Sequence, residues 1–270
     1  MSLELRTFNN GMKGEGMGGK NSIYTAMILA VALFVSGLAS IAAAFPIPER
    51  LEFEISYAGI TAGRAVQEVK QIGDEIHIIS TTKSADWISL FFPVDDRIES
   101  ILVADNTPLN IGVPRLYRER IREGGTRFQK DALFDRQKLE VNTKDFLKNS
   151  ETTQKISKIT YDMLSSFFYF RSMPFQIGTS CYIDIFDCKK LWNTEVQVLR
   201  REEIKTPLGR FKTVVIRPLL KSEGIFARTG EMLIWLTDDE RRIPVLMKSK
   251  VKIGSITATL VGGNYWPPGK

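Results

Sequence analysis

A chain of 270 residues, 43% hydrophobic and 25% charged, is long enough to bury a core of its own and too apolar to be disordered. Its net charge of +6 is spread without any block of like sign, which leaves no electrostatic footprint for nucleic acid. Two cysteines and one histidine exclude a disulfide scaffold and are too few for a zinc site.

The first element reads as a secretory signal. Ile23 to Phe45 carries no charged residue, follows Lys20 and ends in Ala42-Ala43-Ala44, and its apolar centre, Met27 to Leu38, has the length of a signal h-region. Cleavage after Ala44 leaves residues 45–270 as a single exported β-rich domain, in or facing the periplasm of a bacterium. The leader, 1–44, removes Arg6, Lys13 and Lys20 against Glu4 and Glu15, so the charge drops by one, from +6 to +5. Such a mildly basic domain suits the neighbourhood of anionic lipid or lipopolysaccharide. The alternative is an uncleaved anchor, because the charge-free stretch is long enough to span a bilayer. The segment before Lys20 is long and Gly-rich, so Met12 and Met17 are alternative starts.

Period-2 patterns dominate the rest of the chain. In Leu51 to Tyr57, Leu51, Phe53, Ile55 and Tyr57 share one face and Glu52, Glu54 and Ser56 the other, which predicts a strand with one wet side. Turn signals then recur at hairpin spacing: Gly59 to Gly63, Gly73-Asp74, Asp105 to Pro108, Gly124-Gly125, Asp135-Arg136, Pro207 to Gly209, Thr237 to Glu240 and Gly254. Short connections demand antiparallel, sequential pairing. One segment departs from the pattern: Asp162 to Arg171 places Leu164, Phe167, Phe168 and Arg171 at helical spacing behind an Asp162 N-cap, with apolar groups on nearly every side. The polar run before it, Lys144 to Lys158, reads as a flexible loop. The predicted fold is mainly all-β: a strongly curved antiparallel up-and-down sheet or partial barrel of about a dozen strands, with one short enclosed helix. Curling around an apolar filler is how so many strands shelter their edges.

The chemistry-bearing residues are sparse. His77 sits in the alternating run Glu75 to Ser80 with no partner evident in sequence, and no nucleophile elbow or phosphate loop is present. In a predicted hairpin around Asp187 to Lys190, Cys188 falls at the tip and Cys181 most of a strand away, too far apart to bridge. Asp95-Asp96 with Glu99, and Asp238-Asp239-Glu240, supply carboxylates, but adjacent residues of a strand point to opposite faces, so a hydrolase pair would have to come from different strands. No catalytic residue, metal or cofactor is expected. The more suggestive features are two aromatic runs, Trp87 to Pro93 and Phe167 to Phe170, from which Trp87, Phe91, Phe92, Leu164, Phe167 and Phe168 are the candidate lining of an apolar cavity. The plainer alternative is a solid core, and an exposed part of the first run could instead touch a membrane or a partner protein.

Five phrases in order, Phe53 to Tyr57 with Ala62-Gly63, Val94 to Ser100, Asp162 to Arg171, Glu203 to Thr213, and Trp235 to Pro244, resemble the family of domain of unknown function 3108 (DUF3108), a group of exported bacterial proteins. The resemblance implies an exported β-rich protein with no assigned catalytic residue, similar in general shape to the curved sheets of periplasmic lipoprotein carriers. The expectation for function is accordingly non-enzymatic: binding or carriage of a hydrophobic envelope molecule such as a lipid or lipid-linked glycan, with membrane contact peripheral or through an uncleaved N-terminal segment. The alternatives are a structural or assembly factor docking onto another envelope protein, and a carboxylate-based hydrolase of envelope polymers. No nucleic-acid partner is expected.

Overall fold

The computed structural model describes residues 46–104, 111–219, 232–250 and 254–266. The expected signal or anchor over 1–44 and the Asp105 to Pro108 turn lie outside the described residues. Among those described, no helix is long and apolar enough to cross a membrane.

The described residues build one sheet of 15 strands. From β1 (Glu49–Tyr57) it runs outward as an antiparallel meander through β2 (Ile60–Ile72), β3 (Glu75–Ser84), β4 (Asp95–Val103), β5 (Val113–Glu123), β6 (Thr126–Asp135) and β7 (Glu140–Asp145) to an edge at β8 (Ser150–Lys155). It then restarts at the opposite edge with β9 (Thr160–Asp162), which pairs in parallel with β10 (Ser180–Phe186). A second antiparallel meander returns through β11 (Leu191–Thr206), β12 (Gly209–Pro218), β13 (Met232–Thr237) and β14 (Pro244–Lys250) to β15 (Ser255–Gly263), which pairs with β1.

The link between the two edges dictates the curvature. Lys155 and Thr160 bound a connection that reaches at most about 17 Å when extended, whereas fourteen strand spacings laid flat would separate the edges by roughly 67 Å. The sheet therefore curls until its edges meet, as the expected partial barrel. They overlap instead of completing a ladder, with β9 packed against β5. Side chains clamp this seam. Ser100 Oγ on β4 donates to Asp162 Oδ2 on β9 at 2.6 Å, Arg136 Nη2 donates both to Pro114 O on β5 and to Thr160 O on β9, and the Gln154 amide on β8 donates to Lys189 O. Tyr117, Phe134, Val141, Ile156 and Phe186 form an apolar cluster from strands on both sides of it.

Hairpin chemistry follows the turn residues. Gly73-Asp74 joins β2 to β3, Gly124-Gly125 joins β5 to β6, and Pro207-Leu208 joins Thr206 to Gly209. Gly63, read as part of a turn, lies inside β2 beside a register shift; a Cβ there would sit 2.3 Å from Lys83 O, so the close approach of β3 requires glycine. The Lys144 to Lys158 run is not a loop. It carries the end of β7, a turn with Asn149 at φ 48°, and all of β8. β8 is an edge strand exposed on both faces, so its sequence lacks the apolar alternation that marks half-buried strands, and cross-strand neighbours such as Thr143 and Thr152 hold it instead.

Among the described residues two helical pieces interrupt the strands: a single turn, α1 (Asp86–Ser89), between β3 and β4, and α2 (Ser165–Ser172). The second is the expected enclosed helix. Asp162 caps it from one turn upstream: its Oδ1 accepts the backbone N–H groups of Leu164 and Ser165 at 2.9 and 2.8 Å, and Ser165 Oγ accepts the Asp162 N–H in return. Phe168 and Phe170 are buried in a cluster that draws Val69, Ile78, Leu102, Ile183, Val198 and Ile216 from both meanders. Tyr161 and Tyr169 stack with ring centroids 4.2 Å apart. A buried ion pair ties the helix to β1: Arg171 Nη1 and Nη2 donate to the two carboxylate oxygens of Glu49 at 2.6 and 2.8 Å, and Tyr265 Oη donates to the same carboxylate at 2.7 Å. The helix thus closes the end of the curled sheet at which β1 begins.

Candidate functional site

At the opposite end the interior stays open. A cavity of about 580 Å³ lies between the two meanders, with Met163, Ser166, Phe167 and Phe170 from α2 and the turn before it among its lining residues. Strand register places the lining in two facing walls. On one, Gln67, Ser80, Ile98, Glu119 and Lys130 are successive cross-strand partners from β2 to β6, with Asp96 and Glu123 nearby. On the other, Ile216, Ile234 and Met247 are successive partners across β12 to β14, joined by Ile183, Ile185 and Val196. One wall therefore carries ionisable groups set among apolar ones such as Ile98 and Ile121, and the other is aliphatic. Phe128, Lys148, Asp187 and Lys189 also line the cavity, and three of them stand on or beside turns at the end away from α2.

The polar wall is electrostatically unusual. Burial pushes the Glu119 carboxyl up, against the opposing pull of Lys130, and Tyr117 Oη donates to it at 3.1 Å. Asp96 is also pushed up, chiefly by burial, while its Oδ1 accepts the Arg122 N–H at 2.8 Å. Glu123 is raised from 4.5 to about 7, first by burial and then by the charge and hydrogen bond of Asp96. The Asp96 and Glu123 carboxyls, one from each of two neighbouring strands, therefore share a proton near neutrality.

This has a measurable sign. The unfolded Glu123 releases its proton near 4.5 and the folded one near 7, so its contribution favours the folded state most fully below 4.5 and is lost as pH rises through 7. Glu123→Gln is expected to raise the thermal midpoint at about pH 8 relative to wild type, leave it nearly unchanged below about pH 4.5, and flatten the slope between. Thermal scans across that range test it, and an undiminished slope in the variant would place the pH dependence on other groups.

Of the residues singled out from sequence, Phe167 lines the cavity, Leu164 packs half-buried against the core beside it, and Phe168 is fully buried with its ring 5.2 Å from the Arg171 guanidinium carbon. The expectation that both aromatic runs meet in the interior is corrected by the first run. Trp87, Phe91 and Phe92 sit outside on the β3–β4 connection, Phe91 at 85% exposure, because α1 turns that segment outward and Trp87 Nε1 anchors it to Thr61 O. His77, which lacked a visible partner in sequence, lies between Glu75 and Glu99, at 3.5 and 3.4 Å, on β3 and β4. Cys181 and Cys188 are both free, near the start of β10 and in the β10–β11 turn. Sequence reasoning named Asp96 only as a candidate carboxylate in want of a partner and passed over Glu119, Glu123 and Lys130. The available signal was segregation of charge sign along β5, where Glu119 and Glu123 alternate with Arg118, Arg120 and Arg122, so that the acids face inward and the arginines outward.

The family model "Protein of unknown function (DUF3108)" matches residues 52–261, spanning both cavity walls and the helix. The chain belongs to the DUF3108 family. No curated protein matches it. Among solved structures, this DUF3108 chain is similar to one described as a crystal structure of a beta-barrel-like protein of domain of unknown function DUF1849 from Brucella abortus. The two share 13% sequence identity with a TM-score of 0.52, over 81% of this chain and 98% of the other. At that identity the likeness of the DUF3108 chain to the DUF1849 protein is one of fold.

Proposed function

We propose that the cavity binds an amphipathic envelope molecule, a lipid or lipid-linked glycan, in an exported protein that faces the periplasm. The observation that carries this reading is the pairing of an aliphatic wall with a polar one around a shared open space. Acyl or isoprenoid chains would lie against Ile183, Ile216, Ile234 and Met247, and the polar portion would turn toward Asp96, Glu119 and Lys130. No covalent step is needed.

The hydrolase alternative has one observation in its favour, the meeting of Asp96 and Glu123 in the wall. Their carboxyls are close enough to share a hydrogen bond, whereas a glycosidase pair flanks its bond at about 5 Å or more. That closeness leaves no room for a sugar bond between them and argues against a glycosidase pair.

The test is native mass spectrometry of the protein purified without detergent from its own envelope, followed by solvent extraction of any adduct. A stoichiometric adduct is expected. Met247→Trp, which fills the cavity from a half-buried position, is expected to lose it while keeping the wild-type circular dichroism spectrum. A bare wild-type protein would remove the basis for carriage.

A further inference from the structure

The connection between β3 and β4 holds its apolar residues where a soluble protein would ordinarily hide them. Leu90 and Phe91 are 80% and 85% exposed, yet the loop beneath them is firmly built. Phe92 N–H donates to Ile88 O at 2.7 Å, Gly124 N–H donates to Pro93 O at 2.8 Å, and the Ser84 and Ser89 hydroxyls are 2.7 Å apart. The Phe92 ring packs so tightly on Gly124 that a Cβ there would fall 2.5 Å from it. Leu90 and Phe91 are thus displayed on a rigid base and prevented from folding back, at little entropic cost to whatever receives them.

Their position is set by the meander. The β1–β2, β3–β4, β5–β6, β7–β8 and β10–β11 connections all emerge at one end of the sheet, the end away from α2 to which the cavity opens. The same end carries exposed Leu147 on the β7–β8 turn, and exposed Lys148, Lys189 and Lys190 on the β7–β8 and β10–β11 turns. Acids are present too: Asp86 is exposed on the same connection as Leu90 and Phe91, Asp95 lies 3.8 Å from Lys83, and Asp187 accepts the N–H groups of Lys189 and Lys190 and the Trp192 indole. Apolar tips beside lysines are the chemistry of an anionic bilayer surface, in which side chains enter the acyl region and ammonium groups meet phosphates.

We propose that the mouth of the cavity docks on an anionic lipid bilayer through Leu90 and Phe91, with Lys148 and Lys189 on lipid phosphates. The docking stands on the loop and its charges; only what then passes between membrane and cavity rests on the binding reading above.

The full chain carrying Phe91→Trp is mixed with vesicles of equal parts phosphatidylglycerol and phosphatidylcholine containing brominated acyl chains. Because Trp87 lies on the same connection, the comparison is made in a Trp87→Phe background, in which the added indole is expected to shift to the blue and lose at least half its emission while the remaining tryptophans change little. This local readout separates loop insertion from any binding by residues 1–44. In co-sedimentation, Lys148→Glu/Lys189→Glu is expected to weaken binding at least fivefold on these vesicles but not on pure phosphatidylcholine. Leu90→Asp/Phe91→Asp is expected to weaken it on both. An added indole that stays unquenched in Phe91→Trp overturns the proposal and leaves a protein surface as the occupant of the tip. Leu90 and Phe91 lie outside the cavity, so their variants keep the adduct seen by mass spectrometry. A bare cavity with intact insertion defeats carriage and leaves docking standing.

Discussion

Replacing Arg171 with Met is expected to cost about 3–5 kcal/mol of stability, because it strands the buried carboxylate of Glu49. The Arg171 and Glu49 side chains are 0% and 1% exposed, so neither has water to fall back on. The guanidinium makes two parallel bonds to the carboxylate, and its Nη2 also donates to Arg241 O at 2.9 Å. Arg242 extends the junction from the next position, donating to Arg171 O at 2.8 Å and to Met173 O, and so satisfies carbonyls at the helix C-terminus. Burial, and then the neighbouring Arg171, lower the Arg242 pKa, as expected where two guanidiniums crowd one junction. For a domain of this size the loss corresponds to a drop in thermal midpoint on the order of 10 °C. Glu49→Leu/Arg171→Met, which removes both charges, is expected to recover much of it, since the desolvation cost disappears with the pair. Scanning calorimetry of wild type and both variants tests this; an Arg171→Met variant as stable as wild type would mean that water reaches the Glu49 carboxylate.

The second large effect is expected at Asp162, which joins two jobs in one carboxyl. Oδ1 caps α2 and Oδ2 accepts the Ser100 hydroxyl across the seam, in a site with no exposure at all. Burial raises its pKa, while the bonds from Ser100, Ser165 and Leu164 oppose that rise. Asp162→Ala leaves three donors without their acceptor and is expected to destabilise by about 3 kcal/mol. Asp162→Asn keeps the capping oxygen and can donate its amide to Ser100 Oγ, so it is expected to lose less than half as much. Ser100→Ala isolates the seam contact. Denaturant titration gives the energies, and limited proteolysis at 156–159 reports whether the overlap has opened. Equal losses in Asp162→Ala and Asp162→Asn would show that charge, and not the cap, is what the site requires.

Much of the architecture is readable in sequence because half-buried antiparallel strands write their burial into alternate residues. Leu51, Phe53 and Ile55 do so in β1, and Gly124-Gly125 and Pro207 to Gly209 punctuate the meander where the hairpins turn. The helix is legible from Asp162 and the aromatic spacing behind it. What escapes are strands whose stability is borrowed. β8 has no buried face, and β9 is three residues long and buried entirely. The cavity escapes for a related reason. Ser80, Glu119 and Lys130 look like a solvent face until register lines them up opposite Ile216, Ile234 and Met247, and that opposition exists only after the sheet has curled. Conversely, Trp87 to Phe92 reads as core because hydrophobicity alone does not say which way a connection points.

The adjacency of β1 and β15 fixes the order in which the molecule can be completed. It is the ladder that joins strands from opposite ends of the domain, pairing Leu51 with Gly263 and Phe53 with Leu260, while the other ladders among the described residues join neighbours in sequence. As the chain is synthesised from its N-terminus, hairpins on both arms can form as they emerge, but the edge of β1 waits for the final strand. Until then its backbone donors and acceptors are offered to any passing strand, a hazard that grows with the time spent unfinished. The domain therefore depends on being held apart from its own copies until its last strand has been made.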